Sequence, residues 1–229
     1  MASPIQALLF DLDGTLIDSM PLHQEAWRQW HALHGLPFDD SGFFAATAGR
    51  SNTEILVELL PSMGDDGIDV MAEEKEGLYR DAAVRSLTMI AGFDSLLAAA
   101  QTLGLKLAIC TAAPLSNIAI AVRRFGLDAW AQTIVSPADG LRGKPFPDIF
   151  EEAARRLGVP APACLVFEDA PLGVEAARRA GMPAVALTTS LPASAFAAFD
   201  NLRHAMPDFV GFDLARAIQL KKPKETPHA

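Results

Sequence analysis

Leu8-Leu9-Phe10-Asp11-Leu12-Asp13-Gly14-Thr15-Leu16 is the stretch on which the reading of this chain turns. It begins inside the apolar run Ala7 to Phe10, which predicts a buried strand. The strand stops at two carboxylates one residue apart. On extended backbone alternate side chains point the same way, so Asp11 and Asp13 can reach toward one ion or one substrate. Two like charges that close are costly unless a cation or a shared proton compensates them. Gly14 permits a sharp turn directly behind them. A bare Asp-x-Asp-Gly also fits a polar strand end entering a surface turn, so the rest of the chain has to decide.

Downstream, the pattern changes from strand to helix. Pro21 opens a periodic segment carrying Leu22, Ala26, Trp27, Trp30 and Leu33, with Gly35 as its stop. A loop through Pro37 and Gly42 is expected next. A short helix then runs from Thr53 to Leu60, starting near Ser51 or Asn52. Gly64 to Gly67 reads as a turn, and Val70 to Val84 as a charged, solvent-facing helix. Nothing between Asp18 and Arg85 resembles a strand. From Ser86 onward helices alternate with short apolar strands: Leu105–Cys110, Gln132–Val135, Cys164–Phe167, Ala184–Leu187 and a final one at Phe209–Phe212. Such alternation predicts βαβ units and a doubly wound parallel sheet. The expected fold is therefore α/β, with residues 1–16 and 87–229 forming the sheet domain and 17–86 an inserted all-helical block.

Composition narrows the function. Half of the 229 residues are hydrophobic and the formal net charge is −9. This excludes a nucleic-acid backbone binder, which needs clustered Lys and Arg, but not a small phosphorylated ligand. Cys110 and Cys164 both sit in apolar runs and are expected as buried free thiols, which fits a reducing cytoplasm. Met1-Ala2-Ser3-Pro4 has no basic start, and prolines and hydroxyls interrupt the uncharged stretch Ala180 to Phe199, so neither a leader nor a membrane span is expected. The basic tail Leu220 to Lys224 is given no function. A monomer is expected, with a dimer as the alternative.

Ligands of such sheets bind beyond the carboxyl ends of the strands. Those ends carry Asp11 and Asp13, then Thr111-Ala112-Ala113, then Glu168-Asp169, and Lys144 arrives from the loop Gly143 to Asp148. Taken singly, Thr111 fits a helix cap, Lys144 a surface lysine, and Glu168-Asp169 a solvated turn. Together, four carboxylates and a lysine at one rim call for a divalent cation and an anion. Mg²⁺ suits hard oxygen ligands. Lys144, the Thr111 hydroxyl and the backbone N–H groups after it, Ala112 first, suit a phosphate. A carboxylate so placed can attack phosphorus, and a second can move the proton.

Asp11-Leu12-Asp13-Gly14-Thr15-Leu16, the Thr111 strand end, Gly143-Lys144-Pro145-x-Pro147-Asp148-Ile149-Phe150 and Phe167-Glu168-Asp169-Ala170-Pro171-x-Gly173 resemble, in order, the four motifs of the haloacid dehalogenase superfamily of phosphohydrolases. The helical insertion resembles that superfamily's cap, in the branch of phosphosugar mutases and sugar-phosphate phosphatases. The resemblance implies Asp11 as nucleophile and Asp13 as general acid/base, also lending its backbone carbonyl to Mg²⁺. It implies Thr111 and Lys144 as holders of the phosphoryl group, and Asp169 as metal ligand with Glu168 a ligand or its neighbour. In the cap, His23, Gly49 and Arg50 are expected to bind substrate. His23-x-x-x-Trp27 is similar to the mutases, whereas Ala48 stands before Gly49 where they carry a lysine. The leading expectation is a Mg²⁺-dependent phosphatase of a small phosphorylated metabolite. The alternatives are a phosphosugar mutase and a catalytically silent metabolite-binding protein.

Overall fold

The computed structural model describes residues 4–39, 42–47 and 50–219. Strand β1 (Ala7–Phe10) lies at the centre of a six-stranded parallel sheet. Its companions are β2 (Lys106–Cys110), β3 (Thr133–Val135), β4 (Cys164–Glu168), β5 (Ala184–Leu187) and β6 (Leu202–Met206), in the order β3-β2-β1-β4-β5-β6. With β2 on one side of β1 and β4 on the other, the chain segments after all three strands emerge side by side. Crossover helices are α5 (Phe93–Thr102), α6 (Leu115–Phe125), α7 (Asp148–Leu157) and α8 (Pro171–Arg179), and α9 (Leu214–Gln219) ends the described chain.

The period-2 alternation of strand side chains divides the core into two layers. Leu8, Phe10, Leu107, Ile109, Leu165 and Phe167 pack with Phe93, Leu96, Ile118 and Leu214 on one face. Ala7, Leu9, Ala108, Val166, Ala184 and Ala186 pack with Ile149, Phe150, Val174 and Ala177 on the other. Phe10 and Phe167 stack on adjacent strands with ring centroids 4.9 Å apart. Cys110 and Cys164 are buried and unpaired, as expected.

Between β1 and α5 the described chain is helical: α1 (Met20–Leu33), α2 (Phe43–Thr47), α3 (Asn52–Leu59) and α4 (Asp65–Ser86). Trp27, Trp30, Ile55, Leu56 and Ile68 give this block its own small core. Ser51 opens α3 with a capping box, its hydroxyl accepting from the Glu54 N–H and the Glu54 carboxylate accepting from the Ser51 N–H. The two connections to the sheet run against each other. Ile17 bridges Met89 in antiparallel fashion, the Asp18 N–H donates to the Thr88 carbonyl at 2.9 Å, and the Ile90 N–H to the Leu16 carbonyl at 2.9 Å.

Five expectations are corrected. The final strand is Leu202–Met206, not Phe209–Phe212. An edge strand that is mostly half-buried carries no apolar alternation to read, whereas Phe209 is apolar because it plugs against Phe10, Phe93 and Phe167. The loop around Gly42 contains α2. The Gly64–Gly67 turn is the start of α4, and that helix is not solvent-facing throughout, because Lys75, Glu76, Tyr79 and Ala83 are buried. Asp148 occupies the first helical position behind Pro147 rather than capping α7, and its carboxylate pairs with Arg142 at 2.7 Å. Among the described residues no helix is long and apolar enough to cross a membrane.

Candidate active site

Asp11 follows β1 directly, and its N–H continues the ladder onto the Phe167 carbonyl at 2.9 Å. Its carboxylate is therefore delivered by rigid sheet, between the strand ends that release Thr111 and Glu168. Lys144 reaches it from the loop before α7: the ammonium lies 2.5 Å from Asp11 Oδ1 and 2.5 Å from Glu168 Oε1. The Lys144 side chain is thus only 6% exposed, unlike the surface lysine its residue type suggests. Glu168 Oε2 accepts the Ala170 N–H at 2.8 Å, and Asp169 accepts from the Ser190 hydroxyl. Oxygens of Asp11, Glu168 and Asp169 lie within 4.8 Å of one another.

Two glycines make room for this packing. A Cβ on Gly14, whose φ is +75°, would stand 2.1 Å from Asp169 Oδ2. A Cβ on Gly173 would stand 1.8 Å from Glu168 Oε1. Both carboxylates therefore sit where only a bare backbone allows them. The Thr189 hydroxyl ties down the Gly14 carbonyl at 2.5 Å.

The charges do not balance. Burial pushes the Asp11 carboxyl up to about 7, with Glu168 adding to the shift and Lys144 opposing it. Burial, then Glu168 and Asp11, raise Asp169 well above its ordinary value against the pull of Ser190 and Lys144. Lys144 moves the other way: burial alone would lower it, but Asp11 and Glu168 outweigh that and raise it. One ammonium among three buried carboxylates leaves excess negative charge in a site of hard oxygen donors. That donor set fits a divalent cation such as Mg²⁺, whose charge would restore the ionised carboxylates.

Thr111 is buried, and its hydroxyl accepts the Ala113 N–H at 3.0 Å, which leaves its proton free to donate. It does not cap α6, whose N-cap is Pro114. Ala112 is exposed on the same loop. Asp13 lies two residues beyond Asp11 with His23 Nε2 3.6 Å from its Oδ1. Burial alone would raise Asp13; the His23 and Ser19 side chains outweigh it and hold the carboxyl below its ordinary range. His23 stacks flat on Tyr79 at 3.8 Å, and its Nδ1 lies 2.7 Å from the Lys75 ammonium.

The structure thus gathers Asp11, Lys144, Glu168 and Asp169 into one cluster and sets His23 beside Asp13. It does not bring Arg50 to them: that guanidinium, just ahead of α3, donates to the Glu54 carbonyl at 3.0 Å and to Glu58 at 2.8 Å on that helix. Gly49 lies outside the described residues, as do Ala48 and the basic tail. Lys75, Glu76, Asn117 and Ser190 were not among the sequence candidates. For Lys75 a signal existed: Ile68, Lys75, Tyr79 and Ala83 fall at helical spacing on one face of a charged segment.

Residues 5–181 match the family model of the haloacid dehalogenase-like hydrolases. The chain belongs to that family. The validoxylamine A 7'-phosphate phosphatase of Streptomyces hygroscopicus subsp. limoneus is 34% identical over 194 residues, covering 85% of this chain and 91% of the relative. The β-phosphoglucomutase of Bacillus subtilis strain 168 is 30% identical over 196 residues, covering 82% and 85%. A solved HAD hydrolase of family IA, variant 3, from Entamoeba histolytica superposes with a TM-score of 0.86 at 27% identity, over 93% of this chain and 98% of that one. The parallel sheet with its inserted helical cap is the haloacid dehalogenase architecture, and the phosphatase-named relative places this member among phosphohydrolases.

Proposed function

We propose that this haloacid dehalogenase-family protein is a Mg²⁺-dependent phosphatase of a small sugar-like monophosphate, with residues 17–86 as the cap over a core formed by 1–16 and 87–229. The observation that carries the reading is the buried Asp11 carboxylate, held by Lys144 beside Glu168 and Asp169 at the rim of a parallel sheet. A bound Mg²⁺ would supply charge neutralisation between the anionic nucleophile and the anionic phosphate. Asp11, Asp169 and the Asp13 backbone carbonyl would hold it, with Glu168 either joining them or serving Lys144.

An Asp11 oxygen attacks phosphorus and the bond from phosphorus to the substrate oxygen breaks. Asp13, whose carboxyl is held below its ordinary range and so must take up a proton before this step, gives that proton to the departing oxygen, which leaves as an alcohol. Lys144 and Thr111 hold the phosphoryl oxygens as their charge redistributes. Asp13, now a carboxylate, then takes a proton from water as the water oxygen attacks phosphorus. The acyl phosphate opens, returning Asp11 and releasing inorganic phosphate. His23, next to Asp13, and Ala112, through its N–H, are assigned to the substrate side. The relatives' names, a 7'-phosphate phosphatase and a phosphoglucomutase, support a phosphorylated polyol as substrate.

Asp11→Asn abolishes p-nitrophenyl phosphate hydrolysis while circular dichroism stays unchanged; retained turnover ends the nucleophile assignment. The mutase relative supports a second reading, in which two sugar monophosphates interconvert without net phosphate release. Phosphate release measured against isomer exchange on one substrate panel separates the two.

A further inference from the structure

Asp13 is the half-buried end of a polar chain that leaves the sheet domain, passes through the buried Lys75 and Glu76 of the cap and returns to the sheet domain. Its first link is His23, 3.6 Å from Asp13. Lys75 follows, 2.7 Å from the other ring nitrogen of His23 and 2.9 Å from Glu76 Oε1. Glu76 then receives the side-chain amide of Asn52, at the start of α3, and that of Asn117, in the first turn of α6. Lys75 is 1% exposed, Glu76 6% and Asn117 4%, so none of these polar groups is a chance surface contact. Asn117 belongs to the sheet domain, six residues beyond Thr111, while the four cap partners come from α1, α3 and α4.

The chemistry of each link has one direction. An ammonium has donors and no acceptor, so Lys75 makes His23 Nδ1 an acceptor. A neutral imidazole with Nδ1 accepting carries its proton on Nε2, the atom that faces Asp13. A buried lysine keeps its charge only beside a compensating carboxylate, and Glu76 supplies it. Glu76 in turn is fixed by amides from both sides of the cap–core boundary. Opening at Leu16–Asp18 and Thr88–Ile90 would part Asn117 from Glu76 and His23 from Asp13 together.

We propose that Glu76 and Asn117 are positioning residues for proton transfer at Asp13: Asn117 seats Glu76 when the cap is closed, Glu76 holds Lys75, and Lys75 sets the His23 tautomer that donates toward Asp13. This rests on the phosphatase reading for its kinetic consequence, though not for the tautomer. Neither residue touches the phosphoryl group, so the assignment separates the step that needs a proton from the one that does not. An alkyl monophosphate needs Asp13 to protonate its departing oxygen. p-Nitrophenyl phosphate does not, because its leaving group is stable as an anion.

The experiment compares Glu76→Gln and Asn117→Ala with the parent on hexitol 6-phosphate and on p-nitrophenyl phosphate, the latter followed as a pre-steady-state burst. General acid–base catalysis is worth ~10²–10⁴-fold, so kcat on the alkyl ester falls ~10-fold or more in each variant. The p-nitrophenolate burst rate stays within about twofold, because Asp11 attack is intact. Equal loss in burst and alkyl turnover, or no loss in either, overturns the proposal. In parallel, ¹⁵N NMR of the imidazole nitrogens reads the tautomer directly. Parent protein shows His23 protonated on Nε2 and bare on Nδ1, and Glu76→Gln shifts both signals. A parent spectrum with the proton on Nδ1 overturns the proposal even if no phosphate ester is turned over, an outcome that would sink the phosphatase reading separately. Asn117→Ala, at the start of α6 and removing a side-chain amide that donates to Glu76, keeps the test open if Glu76→Gln does not fold.

Discussion

The sheet rim and the cap interior each bury charge, and they treat it in opposite ways. At the rim one ammonium, Lys144, stands among three carboxylates whose oxygens crowd within 4.8 Å. In the cap one ammonium, Lys75, meets one carboxylate, Glu76, which two amides complete. The first cluster is short of positive charge and is finished only by something it binds. The second is finished by the chain itself. Burial moves Asp11 up to about 7, yet Glu76, which burial alone would also raise, is brought down to about 2 by Lys75, His23 and Asn117. A deficit marks a place for chemistry; a closed account of charge marks a place for geometry.

Exchanging each lysine for an apolar residue should break the comparison most sharply. Removing one partner of a buried pair costs ~3–5 kcal/mol, so Lys144→Met and Lys75→Met should both melt lower. Mg²⁺ should recover part of the loss in Lys144→Met, whose carboxylates it can neutralise, and none in Lys75→Met. Thermal melts with and without the ion check this, and equal recovery in both variants would contradict it. A smaller effect is expected from Lys75→Met combined with Glu76→Gln. With neither charge left unpaired, the double variant should regain more than half of the single variant's stability, as measured by urea denaturation.

The smallest effect is in pH. With the metal chelated, Asp11 and Asp169 titrate above their unfolded values, so they favour the folded state when protonated. Stability should then rise as pH falls from above about 7 toward the ordinary carboxylate range. Glu76 has the opposite sign. Its pKa is lowered from 4.5 to about 2, so its contribution is complete above 4.5 and is lost as pH falls toward about 2. Saturating Mg²⁺ should erase the first trend and leave the second. Melting curves across that range separate the two clusters.

What the sequence disclosed follows the same division. Asp11, Asp13, Lys144 and Glu168-Asp169 sit at strand ends or in a loop leading into a helix, where the local pattern announces both the element and the exposed chemistry. The sheet itself was legible strand by strand until β6, whose edge position left it no apolar rhythm. The cap chain was not legible, because its members are scattered through α1, α3, α4 and α6 and each has a commonplace fate. A lysine in a charged helix is usually solvated, and the one local signal that Lys75 is among the most buried side chains is its helical spacing with Ile68, Tyr79 and Ala83. Arg50 stands apart from the cluster for the converse reason: its position after Gly49 suggests a ligand, while Glu58 two turns on supplies a nearer partner.

The side-by-side crossing of Leu16–Asp18 and Thr88–Ile90 has an evolutionary meaning. Because the polypeptide departs and returns at neighbouring points, the helical insert is attached like a pendant, and the sheet's connectivity does not depend on its content. A lineage can replace or enlarge that pendant, and with it the range of molecules admitted, while leaving the sheet-borne carboxylates and Lys144 in place. Such a graft in this protein would part Asn117 from Glu76, Ser116 from Arg80 and Asp13 from His23.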